Sequence, residues 1–505
     1  MSEPSKPVTD DVRFVAKEGG WAGLLGAAGA AARYLNSILL ARVLGSAGYG
    51  LFALANTVVT MLAMPANMGL PVSSVHFVAA SAARRDWTAL RWIVAASLRV
   101  VVVSSLAWTA IAVLAAPWGS RALFDKEGLA LPLAGLALAL PLLGINAVAG
   151  GCLQGLREIR AKVIVERIAH PVIFSALLLV MFVVPSAAAR TQPWVLAAFL
   201  AAAAAVAALS GRWLASRMAA VPPAEGPAPR RWRELFAFAT PVMLLNLLNH
   251  FVLWADVLVM GVYRSPAEIG IYHVASRLGT AVNMPTEALN TSLAPSYAGM
   301  HGRGDAGGLK QAFHASTRWI FSLSALIALV VVLAGRPLLR LFGSDFEAGH
   351  LALALIAAGQ LASASMGTNG MLLTMTGYPH LNLVNAACVA AASLGLNALL
   401  VPAYGATGAA AAGASSLALI NAVRCVEIWF MFRLVPWDRT ILKPLAAFLL
   451  AAGAGAAGFV TLGGVPAAAV AVAVFAAAWW ILGPEPADRE LLGRVLARLR
   501  SPRPR

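Results

Sequence analysis

The amino-acid sequence predicts an all-α membrane protein with about 14 transmembrane helices, built as two pseudo-symmetric six-helix lobes followed by two C-terminal helices. Only 12% of the 505 residues are charged and 60% are hydrophobic, whereas about a quarter of the residues of a soluble domain are charged. The apolar residues lie in blocks of about 18 to 26. Lysines and arginines cluster in every second connection between these blocks. These observations exclude a soluble enzyme.

The apolar blocks define the transmembrane helices. Each is long enough to cross about 30 Å of hydrocarbon as a helix that rises about 1.5 Å per residue. A helix also satisfies its own backbone hydrogen bonds in lipid, and the period-two alternation of a membrane barrel is absent from the sequence. The predicted spans are residues 19–40, 50–72, 93–116, 129–151, 163–184, 194–215, 238–262, 270–296, 318–342, 349–375, 380–402, 407–431, 443–462 and 466–483.

Basic residues in the connections predict the orientation. One alternating set of segments, which includes both ends of the chain, holds 26 lysines and arginines, and the opposite set holds seven. Since positively charged connections stay in the cytoplasm, we expect a multi-pass protein of the bacterial inner membrane with cytoplasmic N- and C-termini. The net charge of +16 therefore reflects topology and contact with the lipid bilayer, and no nucleic-acid partner is expected.

The chain divides into five predicted segments. Proline and small residues at 221–229 resist helix formation and predict a cytoplasmic linker between two lobes. A C-terminal segment combines leucines on one helical face with arginines around them, which is typical of a helix on an anionic membrane surface. The predicted segments are an N-lobe at 1–220, the linker at 221–234, a C-lobe at 235–435, the last two helices at 436–484, and a basic amphipathic tail at 485–505.

The two lobes resemble each other. A shift of 220 positions without a gap places Gly50 on Gly270, Gly150 on Gly370, and the dipeptide 64–65 (Met-Pro) on 284–285 (Met-Pro). Each lobe has an even number of helices, so both lobes run in the same direction through the membrane. A duplicated bundle of this kind is typical of transporters.

Several motifs resemble those of the polysaccharide-biosynthesis (Wzx-type) oligosaccharide flippases, part of the superfamily that also contains multidrug and toxin extruders and lipid II flippases. The similarity covers about residues 12–435. Its motifs are 41–53 (ARVLGSAGYGLFA), 68–71 (MGLP), 151–157 (GCLQGLR), 240–241 (TP), 256–261 (DVLVMG), 270–272 (GIY) and 401–410 (VPAYGATGAA).

The resemblance implies a flippase, not an enzyme. It implies that two lobes alternate in access while a polyprenyl-diphosphate-linked oligosaccharide moves from the cytoplasmic to the periplasmic leaflet, for the synthesis of exopolysaccharide or lipopolysaccharide. Polysaccharide polymerase or ligase machinery would then be a partner. No catalytic residue, metal ligand or cofactor is expected, since the three cysteines form no CxxC pair. Coupling to H⁺ or Na⁺ stays open.

Arginines inside the predicted spans are the first candidates for the site, because a charge in hydrocarbon is costly unless it has a function or a partner. Arg33 lies in the first helix with Asn36 one turn later, and its planar guanidinium suits the diphosphate of the carrier lipid. The alternative is an interhelical pair, for example with Asp256. Arg167, Arg277 and Arg42 are further candidates, although the last two can equally be arginines that extend to the membrane surface.

The predicted seventh helix carries a polar stripe. Asn246 and Asn249 share a face and predict either substrate contacts or interhelical hydrogen bonds. Asp256 and Glu287 are the candidates for ion coupling. Pro65 and Pro285 occupy equivalent positions of the two lobes and predict either hinges or fixed kinks.

Two other classes of function remain as alternatives. A multidrug or toxin extruder of the same fold would favour an acidic cavity for cations, whereas the predicted spans hold five arginines against four acidic residues. An integral-membrane polysaccharide polymerase or ligase would need a sizeable extracytoplasmic loop, and every such loop here is short.

Overall fold

The computed structural model describes residues 8–183, 191–223 and 231–482. Helices make up almost all of these ranges, and no strand occurs within them, which confirms the predicted all-α fold. The predicted amphipathic tail at 485–505 and the middle of the predicted linker, 224–230, lie outside the described residues.

Eighteen α-helices follow one another in the described ranges. They are α1 (Val8–Asn67), α2 (Leu70–Ala83), α3 (Trp87–Ala122), α4 (Ala130–Ala137), α5 (Leu140–Gly155), α6 (Ile159–Val163), α7 (His170–Val183), α8 (Gln192–Ala219), α9 (Trp232–Tyr263), α10 (Pro266–Gly279), α11 (Met284–Gly302), α12 (Ala306–Leu333), α13 (Gly335–Arg340), α14 (His350–Ala364), α15 (Asn369–Met375), α16 (Pro379–Phe432), α17 (Leu442–Leu462) and α18 (Gly464–Ile481). A π-helical turn, Ile164–Ala169, joins α6 to α7.

The lengths of these helices are compatible with fourteen membrane crossings. In the described part of the chain, eight helices are long and apolar enough to span a membrane, and two bent pairs bring the number to ten. Two of the eight, Ala28–Ala83 and His380–Phe432, have 56 and 53 residues, more than twice the roughly 20 residues that one crossing requires. Each of these two covers a pair of predicted spans, and α9, α10 and α11 occupy the predicted seventh and eighth spans.

Single glycines separate the paired spans inside the two longest helices. Gly45 interrupts α1 with φ 68° and ψ −179°, and Gly405 interrupts α16 with φ 57° and ψ −131°. Residues with a Cβ rarely adopt this backbone conformation. Both glycines belong to family motifs, at 41–53 and 401–410, and they lie between the predicted spans.

The two prolines that were predicted as hinges lie beside breaks in the helices. Pro65 is two residues from the end of α1, and Met68 and Gly69 after it have φ of 48° and 69°. Pro285 instead follows a break, because a 3₁₀ turn, Thr280–Asn283, ends α10 and the proline lies in the first turn of α11. There its missing N–H costs no hydrogen bond. The hinge role of both prolines stays a prediction.

The chain forms two compact units, Met1–Gly270 and Ile271–Arg505. The first unit therefore contains α9, which the sequence repeat assigns to the second lobe. One apolar core of this unit includes Leu70 of α2, Leu90 of α3 and Leu153 of α5. One apolar core of the second unit contains side chains from α11, α12, α15 and α16, and these are Tyr297, Leu309, Phe313, Leu372, Leu373 and Ile428.

Glycines allow the backbones of the first unit to approach closely. A Cβ at position 151 would lie 2.2 Å from the Pro71 carbonyl oxygen, and one at position 69 would lie 2.2 Å from that of Ala239. Both contacts join motifs that are distant in sequence, since Pro71 belongs to 68–71 and Ala239 precedes 240–241. These motifs are therefore packing sites.

Candidate substrate-binding site

Arg33 and Arg167 lie together in the first unit, where one face of α1 packs on the π-helical turn. The Arg33 Nη1 donates a hydrogen bond to the backbone carbonyl of Arg167 over 3.4 Å. Gly29, four residues before Arg33 and hence on the same face, leaves space for this approach, because a Cβ there would lie 2.3 Å from the same carbonyl oxygen. The structure thus brings together two arginines that the sequence predicted separately.

The local sequence explains why the Arg167 carbonyl accepts a bond from a side chain. In an α-helix this oxygen would accept from the N–H four residues later, but that residue is Pro171, which has no N–H. The helix widens into the π-helical turn just before the proline, and such turns are frequent at functional sites. A second carbonyl of the turn, that of Val165, accepts a bond from the side chain of Asn146 over 3.3 Å.

Asn36 joins α1 to α7 on the same face as Arg33. Its Nδ2 donates to the Pro171 carbonyl over 3.1 Å, and its Oδ1 accepts from the Ser175 hydroxyl over 2.6 Å. The side chain is only 8% exposed. This geometry gives Asn36 a role in positioning α1 against α7, and a direct substrate contact by Asn36 stays a prediction.

The guanidinium groups of the two arginines lie at different levels along α1. The Arg167 side chain is exposed, and its Nη1 lies 3.6 Å from the position that a Cβ of Gly26 would take. Arg33 and Gly26 are seven residues apart on α1, which corresponds to about 10 Å along the helix. The acid of the turn, Glu166, lies 3.8 Å from Lys162 instead. Two guanidinium groups therefore flank one short stretch of α1.

The polar stripe of α9 is in the same unit. Asn246 is half-buried, and its backbone carbonyl bonds to the Nδ1 of His250 over 2.9 Å. Asp256 is half-buried and accepts a bond from the backbone N–H of Val257 over 2.8 Å. The side chain of Asn249 lies outside the described residues. Substrate contact by Asn246 and Asn249 and ion coupling by Asp256 stay predictions.

The other predicted site residues occupy the ends of helices. Arg42 is exposed, three residues before the glycine that interrupts α1. In the second unit Arg277 is half-buried near the end of α10, and Glu287 is exposed in the first turn of α11. The Glu287 carboxylate accepts a bond of 3.4 Å from Asn283 in the 3₁₀ turn between these helices. Their functional roles stay predictions.

A polar cluster in the second unit was only partly predicted. Arg424 and Glu427 are three residues apart on α16, a spacing that predicts neighbours that can neutralise each other. In the structure the Glu427 carboxylate accepts a bond of 2.8 Å from Asn385, and the Arg424 guanidinium lies over Gly370, with its Cζ 3.2 Å from the position of a Cβ there. The Arg424 Nε is buried without a hydrogen-bond partner. A kink in the middle of α16 separates Asn385 from Glu427 in sequence, so no local spacing predicted this contact.

The fold, the span pattern and the charged residues inside the spans define a polytopic membrane protein of the transporter class. A model of the family described as "Polysaccharide biosynthesis protein" matches residues 15–301, which is more than half of the chain, and a model described as "MatE" matches residues 241–402. The chain belongs to the polysaccharide biosynthesis protein family, as its motifs predicted.

Known proteins are similar to parts of this sequence or share its fold. Stage V sporulation protein B of Bacillus subtilis (strain 168) is 28% identical over 122 residues, a match that spans 24% of either chain. The lipid II flippase MurJ in an inward closed conformation aligns with a TM-score of 0.69 and 11% identity, over 96% of this chain and 100% of that one. An inward-facing multidrug resistance MATE family transporter aligns with a TM-score of 0.61 and 14% identity, over 80% of this chain and 94% of that one.

Proposed function

We propose that this protein is a flippase that moves a polyprenyl-diphosphate-linked oligosaccharide from the cytoplasmic to the periplasmic leaflet of a bacterial inner membrane. Two lobes would expose the bound head group to one side and then to the other. The product would supply a polysaccharide polymerase or ligase outside. The cargo is proposed from the chemistry of the site together with membership of the family.

The observation that carries the proposal is the proximity of Arg33 to Arg167. A diphosphate carries several negative charges that must leave water on the way through the membrane, and guanidinium groups are the side chains best suited to bind phosphate oxygens through paired hydrogen bonds. Arginine also remains charged in a poorly hydrated site. The bond from Asn36 to α7 would hold Arg33 in place.

We also propose that an ion gradient supplies the energy for the transport step. Asp256 and Glu287 are the carboxylates that we assign to H⁺ or Na⁺ coupling, and the breaks beside Pro65 and Pro285 are the places where we expect helices to bend. Removal of the coupled ion's gradient should then slow transport without a change in substrate affinity. Equal transport with and without both gradients would exclude ion coupling.

Complementation tests the proposal. Strains that lack a defined oligosaccharide flippase should regain surface polysaccharide when they express the protein, and the lipid-linked intermediate should no longer accumulate. Arg33→Ala should abolish this rescue at normal membrane abundance, and Arg33→Lys should restore it in part, because lysine keeps the charge but not the planar fork. Arg99→Ala is the matched control, since it removes an arginine from the middle of α3. Full rescue by Arg33→Ala would contradict the proposal.

The second candidate is a multidrug extruder. The match of the MatE model to residues 241–402 and the fold shared with a multidrug resistance transporter favour it. An extruder of organic cations should raise drug tolerance in a sensitive strain and leave surface polysaccharide unchanged. We expect the opposite pair of results, because the cationic pair in the first unit would repel organic cations.

A further inference from the structure

A pocket of about 210 Å³ lies in the first unit between the end of α2, the start of α3 and the start of α9. It is remote in sequence from the arginine pair of α1 and the π-helical turn. Its walls belong to the side of the membrane that we predict to be cytoplasmic. The lining residues are His76, Phe77, Ala80, Ser81, Arg84, Asp86, Trp92, Ile93, Arg231, Glu234 and Leu235.

Aromatic rings surround the pocket. The His76 imidazole stacks on Phe238 with ring centroids 4.7 Å apart and an angle of 10° between the planes, and it meets Phe77 edge-on at 5.0 Å. Trp92, which also lines the pocket, meets Trp232 edge-on at 5.0 Å. Tryptophan is enriched where a protein crosses the boundary between hydrocarbon and water. We therefore expect the pocket to lie at the level of the lipid head groups.

The charges at the rim are balanced. Two arginines, Arg84 and Arg231, and two carboxylates, Asp86 and Glu234, line the pocket. Arg231 and Glu234 approach to 3.9 Å, and Asp86 Oδ1 accepts a bond of 2.9 Å from the Ala89 N–H at the start of α3. A purely anionic ligand would meet both carboxylates, whereas a ligand with one phosphate and one ammonium group would find a partner for each charge.

We propose that this pocket binds the head group of a zwitterionic aminophospholipid of the adjacent leaflet. The arginines would bind the phosphate. The carboxylates and the faces of the aromatic rings would bind the ammonium group, and the apolar floor formed by Ile93 and Leu235 would contact the glycerol end of the acyl chains. A soluble molecule with the same head group has no acyl chains to contact this floor, so it should bind more weakly than the lipid.

A lipid bound in this pocket would affect the position of α9, because the pocket lies between α9 and the helices α2 and α3. The backbones also approach closely at Gly69, just before α2, and Ala239 of α9. Nearby, Arg91 donates bonds to the carbonyls of Met218, Val221 and Pro222 at the end of α8, where the linker begins. A bound lipid would therefore hold the first turn of α9 beside the point where the linker leaves α8.

Native mass spectrometry of the full-length protein, released from detergent, tests this proposal. Dioleoyl phosphatidylethanolamine should bind about fivefold more tightly than dioleoyl phosphatidylglycerol, which corresponds to about 1 kcal/mol, the size expected for a few exposed charged contacts. The double variant Arg84→Gln with Arg231→Gln should lose the tighter binding of phosphatidylethanolamine. Glu234→Gln should remove the preference between the two lipids, because it frees Arg231 for the anionic one.

The control is Arg233→Gln, which removes an exposed arginine of the same helical turn that does not line the pocket. It should leave the affinities for both lipids unchanged. Equal or tighter binding of phosphatidylglycerol by the wild-type protein would overturn the proposal. So would unchanged lipid affinities in the pocket variants, or binding of soluble phosphoethanolamine as tight as that of the lipid.

Discussion

Two pairs of glycines at equivalent positions of the sequence repeat have different surroundings. Gly50 and Gly270 contact each other through the backbone, since a Cβ at position 270 would lie 3.1 Å from the nitrogen of Gly50. Gly150 and Gly370 instead face charged side chains. A Cβ at position 150 would lie 2.3 Å from the Glu166 carboxylate, and one at position 370 would lie 3.3 Å from the Arg424 Nη1.

These two pairs of glycines show which contacts are the same in both copies of the sequence repeat and which differ. Where backbone meets backbone, no side chain can be accommodated in either copy, so both copies keep glycine. Where a glycine faces a side chain, both copies keep the glycine but the facing side chain can differ. It is the acid Glu166 in the first unit and the base Arg424 in the second. The charged groups inside the two units have diverged while the packing positions have not.

Substitution at the backbone contact should give the largest effect. A Cβ at position 50 would lie 1.8 Å from the Pro266 carbonyl oxygen, so Gly50→Ala should lower the free energy of unfolding by about 3 kcal/mol, the upper end for overpacking. Thermal or denaturant unfolding in detergent measures it. Gly211→Ala is the control in α8, because no other group lies within 4 Å of a Cβ there. A Gly50→Ala protein as stable as this control would contradict the claim that the backbone contact at Gly50 leaves no room for a side chain.

Substitutions of the two charged side chains that face these glycines, Arg424 and Glu166, should lower the stability of the protein by unequal amounts. Arg424→Met should cost about 2 kcal/mol of stability, because it removes a buried polar contact beside Glu427 and leaves that carboxylate without its neighbouring positive charge. Glu166→Gln should cost less than about 0.5 kcal/mol, since this carboxylate is 30% exposed and its ion pair with Lys162 is long. Unfolding of both variants in the same detergent measures the difference. Equal losses of unfolding free energy would show that the solvent exposure of the charged side chain does not determine the cost of removing its charge.

The smallest effect should come from the connection between α16 and α17 in the second unit. Burial alone would raise the pKa of Asp438, but bonds from Thr440 and the charges of His314 and Arg318 hold that pKa below its usual value of 3.8. The His314 Nδ1 lies 3.5 Å from the carboxylate. A carboxylate with a lowered pKa stabilises the fold above its pKa in the unfolded chain and loses this contribution as pH falls through its lower value in the folded protein.

The wild-type protein should therefore be more stable than Asp438→Asn at pH 7, by less than about 1 kcal/mol. The difference should shrink as the pH falls below 3.8, because the carboxylate of the unfolded chain is protonated first, and it should vanish only where the aspartate is protonated in both states. Melting temperatures of the two proteins from pH 7 to pH 3 check this. A constant difference over that range would show that Asp438 contributes through packing and not through its charge.

The sequence predicted the features that depend on composition and local spacing. The spans and the family follow from apolar blocks and motifs that are contiguous along the chain, whereas the breaks at Gly45 and Gly405 were seen only in the structure. It also named Arg33 and Arg167 as separate candidates, but not their contact. That contact depends on a carbonyl left without its helical partner by Pro171, a signal that was present in the sequence four residues after Arg167.

Contacts between distant segments could not be predicted in this way. The bonds of Asn36 to α7, the contact of Asn385 with Glu427 and the pocket between α2, α3 and α9 each join residues more than 40 positions apart. Hydropathy and charge patterns describe how each helix faces lipid or protein, and they contain no information about which helix is the neighbour. Spacing alone predicted that Arg424 and Glu427 are neighbours, but not that Asn385 contacts Glu427.

The central claim is that paired arginines in the first unit bind the diphosphate of a lipid-linked oligosaccharide. The most direct test is the initial rate at which purified protein in proteoliposomes moves that lipid between leaflets. We predict that Arg33→Ala and Arg167→Ala each lower the rate at least about tenfold, as expected for loss of a charged hydrogen bond, while Arg99→Ala keeps it. Wild-type rates for both arginine variants would contradict the claim.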